Sequence, residues 1–187
     1  TGALTVAHGG AVDYESEPLY KLKIEATDDA SEKPLTDTCF VTVKITDVNE
    51  APFFPASAVR FVAEDASVGD LLQGPLQAED LDNTLATRRT LQYSRSGAGN
   101  GTAVFEISSV GQITVADPSR LDFESAPSWA FGVQVTDGEF TVSTIVTVTV
   151  TDVNEAPVLQ PANFLVDENS RAGTVVGLLS FSDPDGP

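Results

Sequence analysis

With 187 residues the chain is long enough for one or two domains, and 28 acidic against 10 basic residues leave a net charge of −18. That balance argues against nucleic acid and anionic membrane surfaces as partners and makes cations the natural ones. No apolar run is long enough to span a bilayer, no charged-then-apolar leader opens the chain, and no Met occurs, so an internal piece of a longer exported polypeptide is expected.

Near the start lies "AHGGA" at 7–11, where His8 is the single histidine and reads as a turn residue. A Ser-His-Asp arrangement has no other base to draw on. "VDYE" at 12–15 then leads into "YKLKIEAT" at 20–27, where Tyr20, Leu22 and Ile24 alternate with Lys21, Lys23 and Glu25. After the polar loop "DASEKPLTD", Val41, Val43 and Ile45 alternate with Thr42 and Lys44. A period of two marks strands with one buried face. Cys39 opens the second of them; as the single cysteine it cannot form an internal disulfide, and a buried free thiol is expected.

The strand ends in "TDVNEAP" at 46–52, and the same seven residues return at 151–157. Between the two copies the pattern runs in full, with strands predicted at about 58–63, 69–78, 90–95, 103–107, 112–116, 129–136 and 141–151. Gly, Pro, Asn and Asp fill the gaps, as in a β-sandwich. "VDYE" reappears as "LDFE" at 121–124, and "YKLKIEATDDA" as "WAFGVQVTDGE" at 129–139. Val146, Val148 and Val150 take one face of the last strand, Thr147 and Thr149 the other. Trp129 aligns with Tyr20 and is expected to fill the core; no Cys lies in 52–156, which removes the Cys…Trp…Cys signature of an antibody domain. "SGAGNGT" at 96–102 reads as a flexible loop, and its Asn100-Gly101-Thr102 is a candidate N-glycosylation site.

A third copy opens after the second linker: "FLVDENSRAGTVV" at 164–176 parallels "RFVAEDASVGDLL" at 60–72, and "FSDPD" at 181–185 parallels "AEDLD" at 78–82. The expected division is the second half of one repeat at 1–51, a whole repeat at 52–156 and the start of another at 157–187. The expected fold is all-β: tandem Greek-key β-sandwich repeats of about seven strands.

The acids are not scattered. In the whole repeat they gather at Glu64-Asp65, Glu79–Asp82, Asp122–Glu124, Asp137 and Asp152–Glu155, each at a strand end. Strand ends of a sandwich meet at two poles, so these clusters must converge. Two carboxylates about 5 Å apart repel by roughly 3 kcal/mol at an effective dielectric near 20, so several such pairs require a counter-cation. Carboxylates with an Asn amide form a hard oxygen set, which selects calcium. Asp and Asn are also common turn residues, but five spaced clusters that recur between copies exceed what turns need.

These motifs, in this order, resemble the cadherin repeat, and the resemblance covers the whole chain. It implies metal sites between consecutive repeats, holding about three calcium ions per linker. Carried over position by position, Glu64 and Glu168 match the family's first acidic motif, and Asp80 with Asp82 and Asp183 with Asp185 its Asp-x-Asp. Asp13 with Glu15 and Asp122 with Glu124 match its Leu-Asp-Arg-Glu, and Asp28 and Asp137 its Ala-x-Asp. Asn49-Glu50 and Asn154-Glu155 match the terminal motif. The first linker is then expected to join Asp13, Glu15, Asn49 and Glu50 to Asp80, Asp82 and Asp137. The second joins Glu64, Asp122, Glu124, Asn154 and Glu155 to Asp183 and Asp185. Asp28 is left for a linker upstream and Glu168 for one downstream. Pro52 and Pro157 stop the sheet and stiffen the crossing.

The chain departs from the family at several points. Asn-Glu-Ala-Pro stands where the animal pattern has Asn-Asp-Asn-Pro, so Glu50 and Glu155 reach one methylene further, and Ala51 and Ala156 replace an Asn that offers its backbone carbonyl. "LATRRT", with Arg88 and Arg89, replaces a turn that lends another carbonyl. Such deviations resemble cadherin-like repeats of microbes and unicellular eukaryotes more than vertebrate adhesion molecules. The resemblance implies an extracellular, calcium-rigidified module without catalysis, adhesive or structural, whose partners are neighbouring repeats and homophilic or heterophilic cell-surface proteins. The alternatives are a spacer of a surface appendage without adhesive activity and an accessory module of a large secreted enzyme.

Overall fold

The alternation of apolar and polar residues produces the strands it predicts. The computed structural model describes residues 2–10, 12–82 and 90–186. Strands β1 (Leu19–Thr27) and β2 (Thr36–Lys44) form an antiparallel hairpin in which Tyr20 faces Val43 and Leu22 faces Val41. Their inner faces, with Leu4, Val6 and Val12, line an apolar cavity of about 480 Å³.

Between the linkers lie β3 (Ala58–Ala63), β4 (Gln92–Arg95), β5 (Phe105–Ile107), β6 (Ile113–Val115), β7 (Ser128–Thr136) and β8 (Thr141–Thr151). One sheet runs β3-β8-β7-β4, with β3 parallel to β8 and the other neighbours antiparallel; β5 and β6 pair in a second sheet. The two sheets meet over Val104, Ile113, Val115, Val133, Val146 and Val148, all 0–1% exposed. Phe105 of β5 stacks on Phe131 of β7, with ring centroids 5.8 Å apart, so an aromatic pair joins the layers. Trp129 keeps the inward phase but is half-buried at the rim of this core. Beyond the second linker, β9 (Val158–Leu159) and β10 (Phe181–Ser182) form a short antiparallel pair. Among the described residues no helix is long and apolar enough to cross a membrane.

Three expectations change. The strand predicted at 69–78 is an irregular edge: Gly69 N donates to Val115, Leu72 N to Ile113 and Leu76 N to Gly111, but only Leu71–Thr114 forms a bridge. Positive φ at Gly69 and Gln73, followed by Gly74-Pro75, turns the backbone out of regular pairing. The segment at 96–102 is held against β7 and runs into a 3-10 turn at Asn100–Ala103. Ser96 N donates to Gly132, Gly132 N donates to Ala98 at 2.7 Å, and Asn100 Oδ1 accepts from Ala130 N at 2.9 Å. A Cβ on Gly132 would stand 2.0 Å from Ser96 Oγ, and one on Gly99 2.1 Å from the Ala130 oxygen, so both glycines are there for close approach. Cys39 is exposed. It shares the inward phase of Val41, but its partner Ile24 is itself 39% exposed toward the loop end of the hairpin.

Candidate metal centres at the two linkers

The same small turn prepares both sites. Asp13 Oδ1 accepts from the backbone N–H of Glu15 and of Ser16, and its Oδ2 from Ser16 Oγ at 2.7 Å. Asp122 takes Ser125 N and Ser125 Oγ, each at 2.8 Å. These bonds hold the Asp13 and Asp122 carboxyls below their ordinary value. Each turn carries a glutamate, Glu15 or Glu124, into a linker. A second turn lies across it: Asp80 Oδ1 accepts Asp82 N at 3.0 Å, and Asp183 Oδ1 accepts Asp185 N at 3.3 Å. Short pairings dock these turns, Phe53 with Glu79 through two 2.8 Å bonds in the first case and Val158 with Ser182 in the second.

At the first linker, Glu15, Glu50 and Asp82 offer carboxylate oxygens all within 4.8 Å of one another. Glu50 N donates to Asp82 Oδ2 at 2.8 Å, and Asn49 Nδ2 to Asp137 Oδ2 at 2.8 Å. Asp137 also accepts from Glu139 N and Phe140 N. Burial alone would raise its carboxyl, but the bonds from Asn49, Glu139 and Phe140 outweigh burial and hold it low. Burial pushes Glu50 up, and Asp82, Glu15, Asp47 and Asp13 push it further. Glu15 is drawn down by its own backbone N–H, but burial and the charges of Asp47, Asp82 and Asp13 prevail and raise it.

At the second linker two such groups share a member: Glu64, Asp122 and Glu124, then Glu124, Asp152 and Asp185. Glu64, 8% exposed, accepts from Val153 N at 2.6 Å and Phe123 N at 2.7 Å. One side chain at the end of β3 therefore ties together the linker and the Asp122 turn. Glu155 N donates to Asp185 Oδ2 at 2.8 Å. Burial raises Glu155, as do Glu64, Glu124, Asp185 and Asp122. Burial raises Asp152, followed by Asp185 and Glu64. Glu124 is lowered by its own N–H, yet burial, Glu64, Asp152 and Asp185 raise it overall.

Most of the sequence-derived residues thus meet where two segments cross. Asn154 instead donates to the Glu155 oxygen. Asp28 caps its own loop by accepting from Leu35 N and Ala30 N, and Glu168 is exposed. Arg88 and Arg89 lie outside the described residues. Asp152 was not among the expected ligands, although it opens the repeated "DVNE"; its counterpart Asp47 acts on Glu15 and Glu50 by charge alone.

Asn49 Oδ1, Glu50 Oε2 and Glu155 Oε2 are buried without a hydrogen-bond partner. Buried acceptors are normally matched, and here the unmatched ones stand among raised carboxyls. An all-oxygen set with uncompensated charge fits a hard cation with six to eight oxygen ligands.

Strands of one sandwich bracketed by acidic crossings define a tandem array of all-β extracellular-type modules. The chain is 34% identical to human Cadherin-22 over 93% of its length, which is 23% of that protein. It is 35% identical to mouse Protocadherin Fat 2 over 100% of its length, 4% of that protein. Mouse Cadherin-23 EC22-24 superposes with a TM-score of 0.60 at 27% identity, covering 92% of this chain and 56% of that one. No family model matches the chain. The chain belongs to the cadherin repeat family. It spans under a quarter of the relatives it matches by sequence.

Proposed function

We propose that the chain is a calcium-stiffened segment of an extracellular repeat array that acts in cell adhesion or as a cell-surface stalk. The array divides at the linkers into 1–51, 52–156 and 157–187. Calcium is the ion this family binds. Glu15, Glu50, Asp82, Asn49 and Asp137 would hold it at the first linker, with Asp13 and Asp80 beside them. Glu64, Asp122, Glu124, Asp152, Glu155 and Asp185 would hold it at the second, with Asn154 and Asp183 beside them, and about three ions at each. The ions supply charge compensation and shared bonds across the crossing; the protein supplies the turns that orient the oxygens. No residue here is given a catalytic role. Asn100, exposed and fixed by its bond to Ala130 N, is the proposed glycan attachment point.

The observation that carries this reading is the bonding of each linker to the turn across it, Glu50 to Asp82 and Glu155 to Asp185. Repulsion among the gathered carboxylates opposes that bonding until a cation cancels it. A protein with two complete repeats flanking 152–157 should be stiffer and longer by small-angle scattering in millimolar calcium than in chelator. Identical maximum dimension and flexibility in both conditions would overturn the stiffening role.

A further inference from the structure

The four lysines of this acidic chain all lie between positions 21 and 44. Three of them, Lys21, Lys23 and Lys44, share the outer face of the β1–β2 hairpin. Lys21 faces Thr42, Lys23 faces Phe40, and Lys44 lies opposite Leu19, one step beyond Lys21. At about 3.3 Å per residue, Lys21 and Lys23 stand roughly 7 Å apart, and Lys44 extends the row across the neighbouring strand. Glu25 is the one acid in the outward positions of these strands, and it pairs with Lys23 at 2.6 Å. Among the described residues Lys21 and Lys44 make no ion pair. Phe40, beside this row, is 77% exposed.

The face is not a requirement of the fold. The corresponding positions between the linkers are Ala130, Gly132, Thr149 and Ile145, none of them charged. Nor does its exposure depend on what covers the other side of the hairpin. Tyr20, Leu22, Val43 and Ile45 line the inner cavity, so a second layer packed there lies on the side away from Lys21, Lys44 and Phe40.

We propose that this face binds a sulfated polysaccharide. A row of ammonium groups on a flat sheet suits a linear polyanion, since each Lys meets an anionic group as a mobile point charge. The exposed Phe40 ring next to Lys23 favours a sugar over an acidic peptide, because a ring face with negative potential stacks on the C–H face of a pyranose. The negative charge elsewhere does not prevent this, because beyond about 8 Å at physiological salt it is largely screened.

The test uses immobilised heparin with the full chain at constant millimolar calcium. Binding should weaken with salt at a log–log slope of about −2 to −3, as for release of counterions from two or three contacts. Lys21→Ser with Lys44→Ser should lower affinity at least tenfold and flatten the slope to about −1. Phe40→Ala should lower it several-fold at unchanged slope. An unchanged calcium-dependent melting shift certifies that the variants are folded. Failure of the wild type to bind at low salt overturns the proposal. So does equal retention of the double variant, which would place the glycan on linker-bound ions instead. Binding of poly-glutamate as tight as that of heparin would overturn the sugar assignment and make the face a site for acidic peptide.

Discussion

The two linkers carry the same seven residues, yet they are anchored differently. At the first, Asp82 is buried and takes Glu50 N, and the raised carboxyls are Glu15 and Glu50. At the second, the receiving Asp185 is exposed, and the raised carboxyls are Glu124, Asp152 and Glu155. Glu64, also buried, accepts there from Val153 N and Phe123 N. The repeated motif therefore sets the position of each crossing, while the strand ends around it set how much charge must be cancelled.

The largest expected difference is the response to calcium. At a hundredfold excess over its dissociation constant, each bound ion stabilises the folded state by about 2.7 kcal/mol. The melting temperature should rise in millimolar calcium and fall in chelator. Glu124 offers oxygens to two groups and Glu15 to one, so Glu124→Ala should remove more of the calcium-induced melting shift than Glu15→Ala. Equal losses would mean that the two linkers take up calcium alike despite their different acids.

Next in size is Glu64→Ala. It removes the acceptor for Val153 N and Phe123 N. Two half-buried donors left unmatched cost about 2 kcal/mol together, and that loss should appear in urea melts with and without calcium. Glu50→Ala should behave otherwise. Its Oε2 has no partner and its charge is opposed by Asp82 and Glu15, so the calcium-free protein should not lose stability and only the calcium increment should shrink. If both variants lose stability equally in chelator, the distinction between anchor and pure ligand fails.

A smaller effect, common to both linkers, is the dependence on pH. Without calcium, the raised carboxyls bind protons more readily folded than unfolded. Their contribution is fully present below the ordinary carboxylate range and is lost as pH rises through their folded values. Lowering pH from about 7 to about 5 should therefore stabilise the chelated protein. Asp13, Asp122 and Asp137, held low, act in the opposite sense, but only as pH falls through the low values they have when folded. In calcium the same step should destabilise, because protons compete with the ion for the ligands. A pH dependence of one sign in both conditions would show that the raised groups are not ligands.

The alternation of Val146, Val148 and Val150 with Thr147 and Thr149 was enough to place β8, because a strand with one buried face states its phase in sequence. The segment at 69–78 was misread for a physical reason: its apolar content belongs to an edge whose backbone is turned by Gly69, Gln73 and Gly74-Pro75. The order of 96–102 was illegible since it comes from Gly132 and Ala130, thirty or more residues away. At the sites, acids that recur with their turns were readable as clusters. Which of them meet depended on pairings such as Phe53 with Glu79, which carry no sequence signature, and Asp152 was passed over in favour of its neighbours Asn154 and Glu155.

The smallest prediction concerns what the linkers share. Glu50 and Glu155 each donate a backbone N–H to an aspartate across the crossing, and each holds a buried Oε2 without a partner. Their environments differ in charge, but the reach of the side chain is the same. Glu50→Asp and Glu155→Asp keep the charge and the backbone bond and withdraw the oxygen by one methylene. Each should weaken calcium binding by less than about tenfold, within 1.4 kcal/mol, and to a similar extent in both linkers. Calcium titration of the two variants followed by calorimetry measures this directly. A large loss at Glu155 with none at Glu50 would mean that the second site depends on side-chain reach in a way the first does not, and the shared motif would no longer be equivalent ligation in two settings.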